Sequence, residues 1–209
     1  RILYPKASGI ISQTNYSLEF LGKITGHKNI KVIPNPVNTT MIVENVRKNV
    51  VLYIGRLVST KRIDLLLEVF SKSKYKEWVL WIIGDGPERN FLEEQSRNLG
   101  VENSVRFWGS QKNIGDFYQQ SKIFALTSVS EGFPNALLEA MSYGLGCISF
   151  DCLSGPSDLI KDNQNGFLIP ILNKDEFLVR LELLQSDEML LNKLSHNAIS
   201  TAKQYSISK

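Results

Sequence analysis

Cysteine and histidine are nearly missing from this chain, with two of each among 209 residues. Cys147 and Cys152 stand five positions apart, a spacing that suits neither a zinc knuckle nor a disulfide framework. Both read as small buried side chains of a reducing compartment. His27 and His196 are solitary and read as surface or packing residues. No apolar run reaches the roughly 18 residues of a membrane span, and no signal peptide opens the chain. Asp-x-Asp is absent, and with it the carboxylate pair that would hold a divalent ion beside a phosphate. There is no internal repeat and no low-complexity tract. The net charge of +3 is too small to argue for nucleic acid as a partner. It is unevenly spread: residues 1 to 48 hold seven Lys and Arg against two Glu and carry +5, which leaves −2 for the rest. A solvated face explains that basic piece, and peripheral contact with an anionic membrane is the alternative.

What the chain does contain is 43% hydrophobic residues, enough to bury a core of α/β size. Residues 9 to 13 read as a short strand, and Thr14 is placed to cap a helix running to about Ile24. Pro34 and Pro36 interrupt the next apolar run, so NIKVIPNPVN is a connection. From Asn49 the pattern becomes regular. VVLYIG (50–55) is an apolar strand, followed by a helix with Ile63, Leu66, Leu67 and Phe70 on one side. WVLWIIG (78–84), SVRFWG (104–109), KIFALTS (122–128), GCISFD (146–151) and GFLIP (166–170) read as further strands, separated by helices. Asn173 with Glu176 suggests a capping box, and Ser186 is placed to open the last helix. Such alternation predicts a Rossmann-like doubly wound parallel sheet, whose ligands sit at the strands' carboxyl ends.

One stretch organises the rest: Ser130 to Gly144, SEGFPNALLEAMSYG. Its polar opening reads as a loop entering a helix, with Pro134 in the first turn and Asn135 as a good capping residue. A strand, a loop and a helix N-terminus together form a ready anion site, because first-turn N–H groups lack intrahelical partners and the helix dipole adds positive potential. Glu131 in the loop and Glu139 inside the helix then suit a ligand with phosphates in the middle and hydroxyls at both ends, such as a nucleotide sugar. On spacing alone, a capped amphipathic helix with both acids in water fits as well. A hydrolase pair fits poorly: two carboxylates eight apart on one helix are displaced by about 12 Å, against roughly 5 Å in a retaining glycosidase.

SEGFPNALLEAM resembles the Glu-x7-Glu signature of retaining GT-B glycosyltransferases, in particular glycosyltransferase family 4. The resemblance runs from about Asn29 to the end of the chain. It implies the C-terminal half of a GT-B fold, with residues 1 to 33 the tail of an N-terminal acceptor domain, 34 to 190 the nucleotide-sugar domain and 191 to 209 a C-terminal helix. The chain starts at Arg1, which suggests a fragment of something longer. By the same resemblance Arg56 and Lys61 hold the donor diphosphate, Glu131 lies near the transferred sugar and Glu139 binds the ribose. The first-turn amides near Asn135, Ala136 and Leu137 meet the diphosphate, where Pro134 cannot donate, and the loop Gly132, Phe133, Pro134 belongs to the donor site. Gly55, Gly84 and Gly86 line the donor, and Ser110 and Gln111 fall where the family reads the base. Two cations and a helix dipole would replace a metal, so no cofactor is expected beyond the nucleotide sugar as substrate. DCLSGPSDLI (151–160) resembles members that add UDP-linked hexoses or N-acetylhexosamines to glycans or lipid-linked acceptors. That implies a cytoplasmic protein, peripheral at the inner face of the membrane. Gly146 stands where many relatives have Pro, which is expected to alter only a turn. A GT-B sugar-nucleotide epimerase and a non-catalytic scaffold remain open alternatives.

Overall fold

The structure is a computed structural model that describes residues 4–38 and 47–206. Two short parallel strands, β1 (Ile10–Ser12) and β2 (Ile30–Val32), flank helix α1 (Asn15–Thr25). The main sheet comprises β3 (Val50–Ile54), β4 (Val79–Ile83), β5 (Val105–Gly109), β6 (Ile123–Leu126), β7 (Gly146–Asp151) and β8 (Phe167–Pro170). All its pairs are parallel, in the order β5-β4-β3-β6-β7-β8. Helices α2 (Ile63–Lys72), α3 (Arg89–Asn98), α4 (Gly115–Gln120), α5 (Asn135–Ser142), α6 (Pro156–Leu159), α7 (Lys174–Ser186) and α8 (Glu188–Ala202) complete the chain. This is the doubly wound α/β architecture expected from the alternating pattern.

Alternation along the strands assigns the two faces. Val51, Tyr53, Leu80, Ile82, Ile148 and Phe150 pack with Leu66 and Phe70 of α2 and Phe177 and Leu181 of α7. Val50, Leu52, Trp81, Phe124 and Leu126 pack instead with Tyr118 of α4 and Leu137, Leu138 and Met141 of α5. With near-continuous burial on both faces, the strands are apolar throughout, as parallel strands should be. The helix after β3 therefore goes to one face and the helix after β6 to the other. Since β3 and β6 are neighbours, their loops diverge and open a crevice at the strands' carboxyl ends, the switch point where such sheets bind ligands.

Several local expectations need correction. Asn135 does not cap α5: it is the first helical residue, Pro134 occupies the cap position, and no side chain caps there. The Asn135 amide oxygen instead accepts from Asn35 Nδ2 at 2.9 Å. Ser186 ends α7; Asp187 opens α8 by accepting from the Leu190 amide at 2.8 Å, a stronger cap because it is charged. Thr14 does cap α1, accepting from the Ser17 amide, and Asn173 accepts from the Glu176 amide. Gly146 is more than a turn residue. It is buried at the start of β7, where a Cβ would lie 2.2 Å from Leu191 Cδ1 of α8, so the missing side chain lets that helix close on the sheet.

Candidate functional site

The crevice is built from the loops after β3 and β6, which are stitched together by backbone and side-chain hydrogen bonds. The Val129 amide donates to Thr60 O (2.9 Å), and Thr127 Oγ1 donates to Lys61 O (3.0 Å). Lys61 ends a short 3-10 turn, Ser59–Lys61, and these bonds set it facing the second loop. There its Nζ lies 2.6 Å from Glu131 Oε1, with the Glu131 side chain only 9% and the Lys61 side chain 21% exposed. Glu131 is in the loop, outside α5. The distance argument for two acids on one helix therefore does not apply, and the carboxylates make separate contacts. Arg56, on the same loop as Lys61, is exposed and makes no side-chain hydrogen bond or ion pair among the described residues. Its backbone carbonyl accepts from Tyr53 Oη at 3.3 Å.

Glu139 lies on the face of α5 turned toward α4, where its Oε2 accepts from Tyr118 Oη at 3.0 Å. Burial holds its carboxyl above the usual range, while the Tyr118 hydrogen bond pulls the other way. Burial first, and the Glu139 charge second, push the Tyr118 phenol well up, so it remains a donor. The Tyr118 ring stacks on Tyr143 with centroids 5.1 Å apart. Glu139, Tyr118, Tyr143 and Asn135 line a cavity of about 470 Å³, closed on one side by the linker Asn35 to Asn38.

At the head of α5 the expected anion-binding amides are only partly free. Asn135 N–H donates to Phe133 O (2.9 Å) and Leu137 N–H to Pro134 O (3.0 Å), a tight turn that leaves the Ala136 amide without a backbone partner among the described residues. Phe133 and Pro134 are buried and anchor the loop, whereas Gly132 is exposed with open space around its Cα. The glycines after β3 and β4 serve their neighbours. Gly84 has φ 129°, and a Cβ there would stand 1.9 Å from Gly55 O; at Gly86 it would stand 2.3 Å from Leu57 O. These two loops run in backbone contact, with Leu57 N–H donating to Asp85 O at 3.0 Å. At Gly55 a Cβ would lie 2.7 Å from Tyr53 Oη. Ser110 and Gln111 are not brought into the Glu139 cavity. They line a separate groove with Lys48, Trp81 and Trp108.

Sequence reasoning missed four side chains that shape this site: Tyr118, Asn35, Thr14 and Ser154. Tyr118 was hidden as one aromatic in a short helix, and the others act through contacts between residues far apart in the chain. Among the described residues no three His, Cys, Asp or Glu side chains gather to hold a metal. Nor is any helix long and apolar enough to cross a membrane.

Against this geometry, the family described as "Glycosyl transferases group 1" matches residues 40–204. The chain is 38% identical over 182 residues to a lipopolysaccharide 1,6-galactosyltransferase of Salmonella typhimurium, covering 82% of this chain and 50% of the relative. It is 33% identical over 165 residues to a Campylobacter jejuni α-1,4-N-acetyl-D-galactosaminyltransferase acting on an undecaprenol-linked glycan, covering 78% and 45%. Among solved structures it superposes on TarM of S. aureus, determined with UDP, with a TM-score of 0.92 at 27% identity over 98% of this chain and 42% of that one. It superposes on the lipopolysaccharide outer core galactosyltransferase WaaB with a TM-score of 0.81 at 31% identity, covering 96% and 58%. The chain spans about half the length of the curated relatives it matches. By family and by fold, this chain belongs to the group 1 glycosyl transferases, enzymes of GT-B architecture.

Proposed function

We propose that this chain is the donor-binding half of a family 4 glycosyltransferase, which transfers a hexose or N-acetylhexosamine from a UDP-sugar to a glycan or lipid-linked acceptor with retention of configuration. The observation that carries this reading is the ion pair between Lys61 and Glu131 at the switch-point crevice, with exposed Arg56, unpaired among the described residues, on the same loop as Lys61. Two cations and a free helix-end amide suit a pyrophosphate, and a buried acid held by Tyr118 in the adjoining cavity suits ribose hydroxyls. The nucleoside lies along the Glu139 cavity, the diphosphate between Arg56, Lys61 and the Ala136 amide, and the sugar toward Glu131. An ammonium carries three protons, so Lys61 can keep Glu131 while donating to a phosphate oxygen.

Such charges work by being in place before the bond breaks. As the glycosidic bond lengthens, charge collects on the departing diphosphate, and fixed cations meet it without reorganisation; removing one such group commonly costs about 100- to 1,000-fold in rate. No divalent ion enters this scheme. The acceptor is held by a further, N-terminal half, and the work is done at the inner face of a membrane. Support comes from the relatives, which include galactosyl- and N-acetylgalactosaminyl-transferases of lipopolysaccharide and lipid-linked glycans, and from TarM and the pneumococcal transferase GtfA, both solved with UDP.

Titration calorimetry with UDP, GDP and ADP tests the assignment. UDP is expected to bind, with affinity falling at least tenfold in Arg56→Ala. Absence of binding by all three nucleotides overturns the donor site.

A further inference from the structure

The Glu131 loop is held from behind by residues that the donor assignment does not use. Ser154, in the turn before α6, is 6% exposed, and its Oγ donates to Gly132 O at 3.0 Å. A serine hydroxyl has a single proton. Thr14 Oγ1 lies 2.8 Å from Ser154 Oγ and 2.9 Å from Ser17 Oγ, so the single Thr14 proton is shared between these two neighbours. Thr14 is fully buried and is also the cap of α1, so the relay ties the N-terminal β1–α1 unit to the backbone next to Glu131. A parallel chain of bonds starts one residue earlier. Gln13 Nε2 donates to Asn35 Oδ1 (2.5 Å), and Asn35 Nδ2 donates to Asn135 Oδ1 (2.9 Å). Consecutive residues 13 and 14 thus hold the two ends of the segment that runs from Glu131 into α5. Gly155 closes the arrangement: with φ 96°, it lies so near Pro134 that a Cβ would be 2.4 Å from Pro134 Cδ.

We infer that Ser154 and Thr14 are positioning residues for the sugar-facing carboxylate: they fix the peptide at Gly132 and make the placement of Glu131 depend on the β1–α1 unit. The inference rests on the donor-site reading above. It does not require Ser154 to touch substrate. Neither of the proposed nucleotide contacts Arg56 and Glu139 bonds to the relay among the described residues, so losing it should spoil sugar recognition and spare the nucleotide.

The test uses this chain with Ser154→Ala, Thr14→Val and Thr14→Ser, titrated with UDP and with UDP-glucose, UDP-galactose and their N-acetyl counterparts. For whichever sugar nucleotide binds the unaltered chain, its affinity is expected to fall five- to tenfold in Ser154→Ala and Thr14→Val. UDP affinity should change less than twofold, and Thr14→Ser, which keeps the hydroxyl, should behave as the unaltered chain. Glu131→Gln should lower the same affinity, and adding Ser154→Ala to it should lower it little further, because coupled residues are not additive. If Ser154→Ala fails to fold by circular dichroism, the two Thr14 variants decide. Equal losses for UDP and sugar nucleotide, or no loss for either, overturn the inference and leave the donor site standing. An unaltered chain that binds UDP but no sugar nucleotide overturns the role of Glu131 and this inference with it. One that binds neither overturns the donor site itself.

Discussion

Two acids of the same stretch live in opposite electrostatic settings. Glu131 has a cation at 2.6 Å, whereas Glu139 is half buried and, among the described residues, has only the Tyr118 phenol to stabilise its charge. Burial raises the Glu139 carboxyl in the folded chain, so folding favours the protonated acid. Its stabilising contribution is present in full below the unfolded value of about 4.3 and is lost as pH rises through the higher folded value. Glu139→Gln removes this penalty while keeping an acceptor for Tyr118. The variant is expected to melt above the unaltered chain at pH 7, with the difference closing toward pH 4, in thermal denaturation run at both values. It should also bind UDP roughly 10- to 100-fold more weakly, the effect of losing hydrogen bonds to a charged group worth about 1.5–3 kcal/mol. A residue kept at a cost to stability is what a binding role predicts.

At the scale of elements, helix α8 fits the sheet because Gly146 carries no side chain. Gly146→Ala forces Leu191 aside in a closely packed core and is expected to cost about 1–3 kcal/mol in urea unfolding, with no change in UDP affinity. The elements themselves were legible in the sequence, because apolar strands such as VVLYI and WIIG and the amphipathic α2 carry strong local patterns. The crevice was legible in part: Arg56, Lys61 and Glu131 could be named in the loops that follow strands, and Glu139 inside the next helix. What could not be read were the partners. Nothing local says that Tyr118 would reach Glu139, that Ser154 would bond Gly132 across 22 positions, or that Asn135 would turn to Asn35 and leave the cap to Pro134. Those depend on how the helices pack against the sheet, and side-chain contacts of that range leave no periodic signal.

For the molecule as a whole, ligand binding and folding share one free energy. A nucleotide that binds only the folded chain stabilises it by about 2.7 kcal/mol at one hundred times its dissociation constant. For a chain of this size that corresponds to a rise of roughly 5–10 °C in melting temperature. Scanning calorimetry with excess UDP is expected to show that rise, and excess ADP a smaller one. The order of the strands has a consequence for how the molecule comes into being. The central pair joins Val51 to Ile123, two segments made far apart in the chain, and the crevice exists only between them. Neither loop can acquire its shape from nearby sequence, so binding competence must be among the last properties acquired during folding, after the slow closure of that long-range contact.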